Sequence, residues 1–143
     1  MHADVVIVTG SSAHERAHHL DGVLTEARAE IVLDGARDAV DIIDTSAWLL
    51  TRLRDGRLLV ALPGDLRSSV AAVLTMVRPL IHGLCGYGYE PIGSRTLELD
   101  LQGAVDRSRF VFVRGGRPTP DHGPATGHGV AAADALVLVP PAG

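Results

Sequence analysis

The sequence has 143 residues, of which 46% are apolar and 3% aromatic, and its formal net charge is −4. This length fits one ordinary domain or two small ones, and the apolar content excludes a disordered chain. The acidic balance excludes a typical nucleic-acid-binding surface. No apolar stretch approaches the roughly 18 residues of a membrane span, and the N-terminus shows no signal peptide. With a single cysteine, the composition predicts a cytoplasmic protein.

Strand and helix patterns alternate through the first part of the chain. A β-branched run over 3–9 predicts a strand covered on both faces, and apolar spacing predicts a helix over 13–28. A second strand is predicted over 30–33, followed by an irregular segment over 34–40. An Asp-Thr-Ser sequence predicts the cap of a helix over 44–54.

The next segment carries the strongest strand-to-helix signal. An apolar strand is predicted over 57–62, Pro-Gly-Asp at 63–65 breaks it, and a helix rich in Ala, Val and Leu is predicted over 66–84. Alternating strands and helices favour an α/β fold with a parallel sheet and flanking helices.

The composition changes near 85–93, which predicts a linker. Beyond it, alternating apolar residues predict short strands, and 117–129 is predicted to be a loop because it is rich in Pro, Gly, His and Thr. The predicted strands span 95–101, 110–114 and 135–139. We therefore expect an α/β domain over 1–86 and a small C-terminal β-barrel-like or sandwich domain over 91–143.

Several segments resemble one known family in order and spacing. Residues 4–10 read DVVIVTG, Leu-Pro-Gly occurs at 62–64, and Val-Arg-Pro-Leu follows at 77–80 in the long helix. Near the C-terminus, FVFVR at 110–114 and ADALVLVP at 133–140 fit the same pattern. Together they resemble the C-terminal portion of MoeA-type molybdopterin molybdotransferases and of the gephyrin E domain.

This resemblance implies a partial molybdopterin-binding-type sheet followed by the small β domain. It implies molybdenum cofactor biosynthesis, with molybdopterin or adenylylated molybdopterin as ligand, molybdate as substrate and Mg²⁺ as cofactor. The N-terminal half of the family's α/β domain has no counterpart in the sequence. Association with a protein that supplies the missing half is therefore one expectation. Because members of the family are homodimers, the resemblance also implies a homodimer. The composition predicts no membrane or nucleic-acid partner.

The first predicted binding loop follows the first strand. The resemblance assigns Thr9, Gly10 and Ser11 to cofactor binding, because backbone N–H groups at such a turn can approach a phosphate. The family's GGxSxGxxD pattern places His18 where the family has a metal-binding Asp, and Glu15 nearby. Glu15 and His18 are thus the predicted catalytic positions, although His18 suits Mg²⁺ poorly because Mg²⁺ prefers oxygen ligands.

The second predicted binding loop precedes the long helix. By the resemblance, Pro63, Gly64, Asp65 and Ser68 bind the cofactor. Asp65 is also predicted to cap the helix, which is worth about 1 kcal/mol. The family has a neutral Asn there, so Asp65 places a negative charge where an anionic phosphate would dock, and Arg67 offsets it. The family's lysine-rich segment is replaced by 37–41, which has no lysine.

Other readings of these residues stay open. His14 and His18 are spaced to chelate a transition metal on one helix face, but solvated histidines are the commoner outcome. The aspartates over 34–44 suit a solvated surface better than a metal site, and Cys85 has no cationic neighbour to activate it. The function is either that of a molybdotransferase or that of a catalytically degenerate module that binds molybdopterin or a protein. A structural fragment that needs its missing half is the third alternative.

Overall fold

The computed structural model describes residues 4–11, 19–38, 48–88, 93, 107–119 and 126–141. The chain divides into two compact units, Met1–Ser69 and Val70–Gly143. The domains expected over 1–86 and 91–143 stay a prediction, since 89–92 lies outside the described residues. The elements are β1 (Val5–Ser11), α1 (Asp21–Glu26), β2 (Glu30–Asp34), α2 (Gly35–Asp38), β3 (Leu49–Arg52), β4 (Leu58–Pro63), α3 (Leu66–Ala72), a π-helical segment (Val73–Val77), α4 (Arg78–Leu84), β5 (Arg109–Arg114), β6 (Arg117–Pro118), α5 (Thr126–Ala132) and β7 (Ala135–Val139).

The first unit contains a four-stranded sheet in the order β1-β4-β3-β2. β1 and β4 are parallel, whereas β3 is antiparallel to both β4 and β2. The expected purely parallel sheet is therefore wrong, and the sheet is mixed. Its core lies on the two central strands, where Leu49, Val60 and Ala61 are fully buried.

The helix predicted over 44–54 is wrong for its described part, because Leu49–Arg52 forms β3. Leu49 and Thr51 are both 0% exposed, whereas Leu50 and Arg52 are more open, so burial follows the period of two of a strand. Asp55-Gly56 then closes a hairpin between β3 and β4. Gly56 has φ +87°, and the Leu53 N–H donates to the Arg57 carbonyl at 2.7 Å.

The other elements of the first unit agree with the sequence in part. The strand over 30–33 is present as β2, and the first helix is described only as α1, since 12–18 lie outside the described residues. The segment over 34–40, expected to be irregular, contains the single helical turn α2.

The long helix predicted over 66–84 is confirmed as one helical run, but its middle is π-helical. Two residues explain the wider turn. Thr75 Oγ1 donates to the Ala71 carbonyl at 2.7 Å and competes with the backbone ladder. Pro79 has no N–H, and its ring would clash with the Thr75 carbonyl in α-helical geometry. Among the described residues, no helix has the length and apolar character needed to cross a membrane.

The second unit contains a three-stranded antiparallel sheet in the order β6-β5-β7. Its buried centre is the Phe110–Val113 segment of β5. The described strands form an open sheet, so the expected barrel-like closure is not present in them, and the strand predicted over 95–101 lies outside the described residues. The loop predicted over 117–129 is wrong in part, because β6 and the start of α5 fall within it.

Candidate functional site

Two turns lie side by side at one edge of the first sheet. β1 and β4 are neighbouring parallel strands, with Val8 opposite Ala61 and Ser11 opposite Pro63. The carboxyl ends of both strands therefore meet at the same edge, which is where open α/β sheets bind ligands. The register shifts between Val8 and Ser11, so the end of β1 bulges beside the turn that follows β4.

The backbone at Gly64 closely approaches that of Gly10. A Cβ at position 64 would lie 3.3 Å from the Cα of Gly10 and 3.4 Å from its carbonyl carbon and oxygen. Gly10 itself has φ +102°, which L-residues with side chains rarely adopt. Glycine is thus favoured at 64 for space and at 10 for conformation. The two turns predicted separately from the sequence lie side by side, and Gly10 and Gly64 are both exposed.

Asp65 caps the helix that follows the second turn. Its Oδ1 accepts the backbone N–H of Ser68 at 2.8 Å, and its carbonyl accepts the N–H of Ser69 at 3.0 Å. This is the geometry of a helix N-cap, and it confirms the predicted capping role of Asp65. The carboxylate is exposed, so it also places a negative charge beside the paired turns.

Ser69 holds the second turn in place, a role that the sequence analysis did not assign. Its Oγ donates to the carbonyl of Pro63 at 2.5 Å, which ties the buried end of β4 to the helix. Ser68 is half-buried, and its N–H serves the cap. A serine in the first turn of a helix, just after a Pro-Gly break, was the available signal.

The predicted site residues fall into two groups. Within the described residues, the structure brings together the backbones of Thr9, Gly10 and Ser11 with the second turn, which comprises Pro63, Gly64, Asp65 and Ser68. Thr9 and Gly10 are exposed, as are Gly64 and Asp65, while Pro63 is buried. Glu15 and His18 lie outside the described residues, and so does His14. Cofactor binding by any of these residues stays a prediction.

A magnesium site does not form among the described residues. No cluster of three His, Cys, Asp or Glu side chains that could hold a metal occurs in the described part of the chain. Asp65 is the only carboxylate in the two described turns, and its Oδ1 is already engaged in the cap. The described residues therefore supply no Mg²⁺ site of their own.

The segment that replaces the family's lysines is internally paired. Arg37 donates from Nε and a terminal nitrogen to the two carboxylate oxygens of Asp38, at 2.8 and 3.0 Å. Asp38 also accepts the backbone N–H of Asp34 at 2.8 Å. The hydrogen bonds from Arg37 and from this N–H lower the pKa of Asp38 to about 2. Arg37 is thus committed to a neighbouring carboxylate, which weakens its ability to replace a phosphate-binding lysine.

Comparisons with known proteins bear on the fold. No family model matches the chain, and no curated protein does. Among solved structures, the chain is similar to the molybdopterin biosynthesis MoeA protein from Pyrococcus horikosii, with a TM-score of 0.71 at 21% sequence identity. The similarity covers 96% of this chain and 33% of that chain, so this chain spans about a third of its length. The chain therefore has a MoeA-like fold.

Proposed function

We propose that the chain binds a phosphorylated pterin, molybdopterin or its adenylylated form, at the paired turns, and acts in molybdenum cofactor biosynthesis. One observation carries the proposal. Two glycine turns at the carboxyl ends of adjacent parallel strands lie so close that a Cβ at 64 would be 3.3 Å from the Gly10 Cα, and Gly10 and Gly64 are both exposed. The MoeA-like fold supports the choice of ligand, because the similar solved structure is named for molybdopterin biosynthesis.

The turns suit an anionic ligand that binds to main-chain N–H groups rather than to side chains. Without side chains at 10 and 64, a ligand can reach main-chain N–H groups closely, and such groups bind phosphate in other α/β proteins. Asp65 opposes this, because its carboxylate repels an anion at the same place. Arg67, half-buried two residues further along the helix, offsets part of that repulsion.

Molybdate insertion is the more specific form of this proposal. In that form, Glu15 and His18 act at the reacting centre, and the paired turns hold the pterin. In such a mechanism, most of the rate acceleration comes from positioning the pterin sulfurs toward the molybdate oxyanion. The proposed compartment is the cytoplasm, because an exposed thiol such as that of Cys85 stays reduced there.

A second candidate function is that of a catalytically degenerate module that binds molybdopterin without transferring molybdate. The exposed carboxylate of Asp65 favours it, because an enzyme that handles anions gains from a neutral cap at this position. The pairing of Arg37 with Asp38 favours it too, since it leaves the lysine-replacing segment without an uncommitted guanidinium.

Calorimetric titration with molybdopterin and with its adenylylated form tests binding. We expect saturable binding of a phosphorylated pterin and no binding of the dephosphorylated one. Asp65→Asn keeps the cap, because Asn and Asp cap equally well, and removes the charge, so it should bind more tightly. Asp55→Asn, in the β3–β4 hairpin, is the matched control and should bind like the wild type.

A molybdate-insertion assay separates the two candidates once binding is established. It is run with the chain alone and with a polypeptide that supplies the rest of the longer fold. Product formation in either case identifies a molybdotransferase. Pterin binding without product in both cases identifies the degenerate module. Failure of every phosphorylated pterin to bind contradicts both.

A further inference from the structure

Two arginines lie directly opposite each other on the β5–β6 hairpin of the second unit. Arg114 ends β5, Arg117 begins β6, and the two residues are Cα partners in the antiparallel register. Opposite residues of an antiparallel pair have Cβ atoms about 4.5–5.5 Å apart and project from the same face of the sheet. The two guanidinium groups can therefore reach one common ligand.

The charges of these two arginines are not neutralised within the described part of the chain. Arg114 and Arg117 are both exposed, and neither forms an ion pair with a described residue. By contrast, Arg37, Arg52 and Arg57 each have a carboxylate partner. Like charges directly opposite each other destabilise a strand pair. An anion bound between the two guanidinium groups would replace this repulsion with attraction.

Hydrogen bonds outside the strand ladder fix the backbone of the hairpin. Gly115 and Gly116 have φ of +56° and +79°, and a type I′ hairpin turn requires positive φ at both central residues. The carboxylate of Asp134 accepts the Gly115 N–H at 2.8 Å. The N–H and Oγ1 of Thr119 both donate to the Phe112 carbonyl, at 2.9 and 3.1 Å. Because the backbone is fixed, less ordering is needed when the two arginines bind a ligand.

The balance of charge and the number of donors indicate the class of ligand. Asp134 brings one negative charge to the hairpin against two positive ones, so the balance stays positive. A carboxylate presents its two oxygens in one plane, and a single guanidinium fork already engages both. A tetrahedral oxyanion has oxygens on several sides and can accept two guanidinium forks at once.

We propose that Arg114 and Arg117 form a binding site for a doubly charged tetrahedral oxyanion, to which each guanidinium donates a pair of hydrogen bonds. Phosphate, sulfate and molybdate share this chemistry, and so does the phosphate group of a larger ligand. No residue of the paired turns takes part, so the site stands independently of the proposed function.

NMR titration with phosphate, sulfate and molybdate tests the site, at a pH where phosphate is doubly charged and at an ionic strength held constant with chloride. We expect the backbone N–H signals of Arg114 and Arg117 to shift together with one dissociation constant. Arg114→Gln and Arg117→Gln should each weaken binding by about tenfold, because each removes one charged fork. Arg54→Gln is the matched control, since Arg54 is an exposed arginine of the other hairpin, and it should bind like the wild type. The anion that binds most tightly identifies the source.

Thermal unfolding separates a binding site from a pair of arginines with a structural role. Without the dianion, Arg117→Gln should be at least as stable as the wild type, because the repulsion is gone. With the dianion, the wild type and Arg54→Gln should gain a rise in Tm that Arg114→Gln and Arg117→Gln lack. Shifts that do not saturate, equal binding of nitrate, or wild-type affinity in both hairpin variants would overturn the proposal.

Discussion

Replacing Gly64 with valine tests the contact on which the candidate site depends. Any Cβ at 64 meets the Gly10 backbone at 3.3 to 3.4 Å, a few tenths of an ångström inside the ordinary carbon contact range of about 3.5 to 4.0 Å. The two methyl groups of valine need further room. We expect Gly64→Val to lower the free energy of unfolding by about 1–3 kcal/mol, the usual range for overpacking.

Urea denaturation followed by the fluorescence of Trp48 measures this change, because the single tryptophan is 5% exposed in the fold. Gly22→Val is the control, since a Cβ at 22 has nothing within 4 Å, and its effect should stay within about 0.5 kcal/mol. The displaced turn should also bind a phosphorylated pterin more weakly. Wild-type stability and wild-type affinity in Gly64→Val would refute the packed pair of turns.

Three further predictions concern the cap, the core and one carboxylate. Asp65→Ala should lower the free energy of unfolding by about 1 kcal/mol in urea denaturation, whereas Asp65→Asn should leave it unchanged. Equal losses in the two variants would contradict the capping role of Asp65. Leu49→Ala should cost about 2–5 kcal/mol because Leu49 is fully buried, whereas Leu138→Ala, at 49% exposure, should cost under about 1 kcal/mol. NMR titration should give Asp38 a pKa of about 2, and Arg37→Gln should raise it. Because this folded-state pKa is depressed, the stabilisation it brings is present above about pH 4 and lost as the pH falls toward 2.

The residue pattern predicted the site turns better than the sheet around them. The turns at Gly10 and Gly64 were identifiable because each glycine follows an apolar run typical of a strand, and the cap at Asp65 because it precedes an apolar helix. That the two turns lie side by side could not be predicted. It follows from the pairing of β1 with β4, which are separated in sequence by two other strands.

The error at β3 has a specific cause. An Asp-Thr-Ser sequence before an apolar run predicts a helix cap, and Leu49 and Leu50 fit either a helix or a strand. Asp55-Gly56 between two apolar runs was the stronger signal, because it is the signature of a hairpin. The hairpin reverses the chain, makes β3 antiparallel and turns the expected parallel sheet into a mixed one.

The position of the π-helical turn could not be predicted from the sequence. A proline within an apolar helical pattern predicts a break or a kink before it. Here the helix widens over Val73–Val77 and continues, since the Arg78 N–H bonds to the Val73 carbonyl. The hydroxyl of Thr75, which bonds to the Ala71 carbonyl, adds a local competition that pattern analysis does not weigh.

The central claim is that Gly10 and Gly64 form one binding surface for a phosphorylated pterin. Amide NMR spectra recorded during a titration with molybdopterin test it most directly. The account predicts that the N–H signals of Gly10 and Gly64 shift together with one dissociation constant, while that of Gly22 does not move. Saturable binding that leaves both signals unchanged, or that moves only one of them, would contradict it.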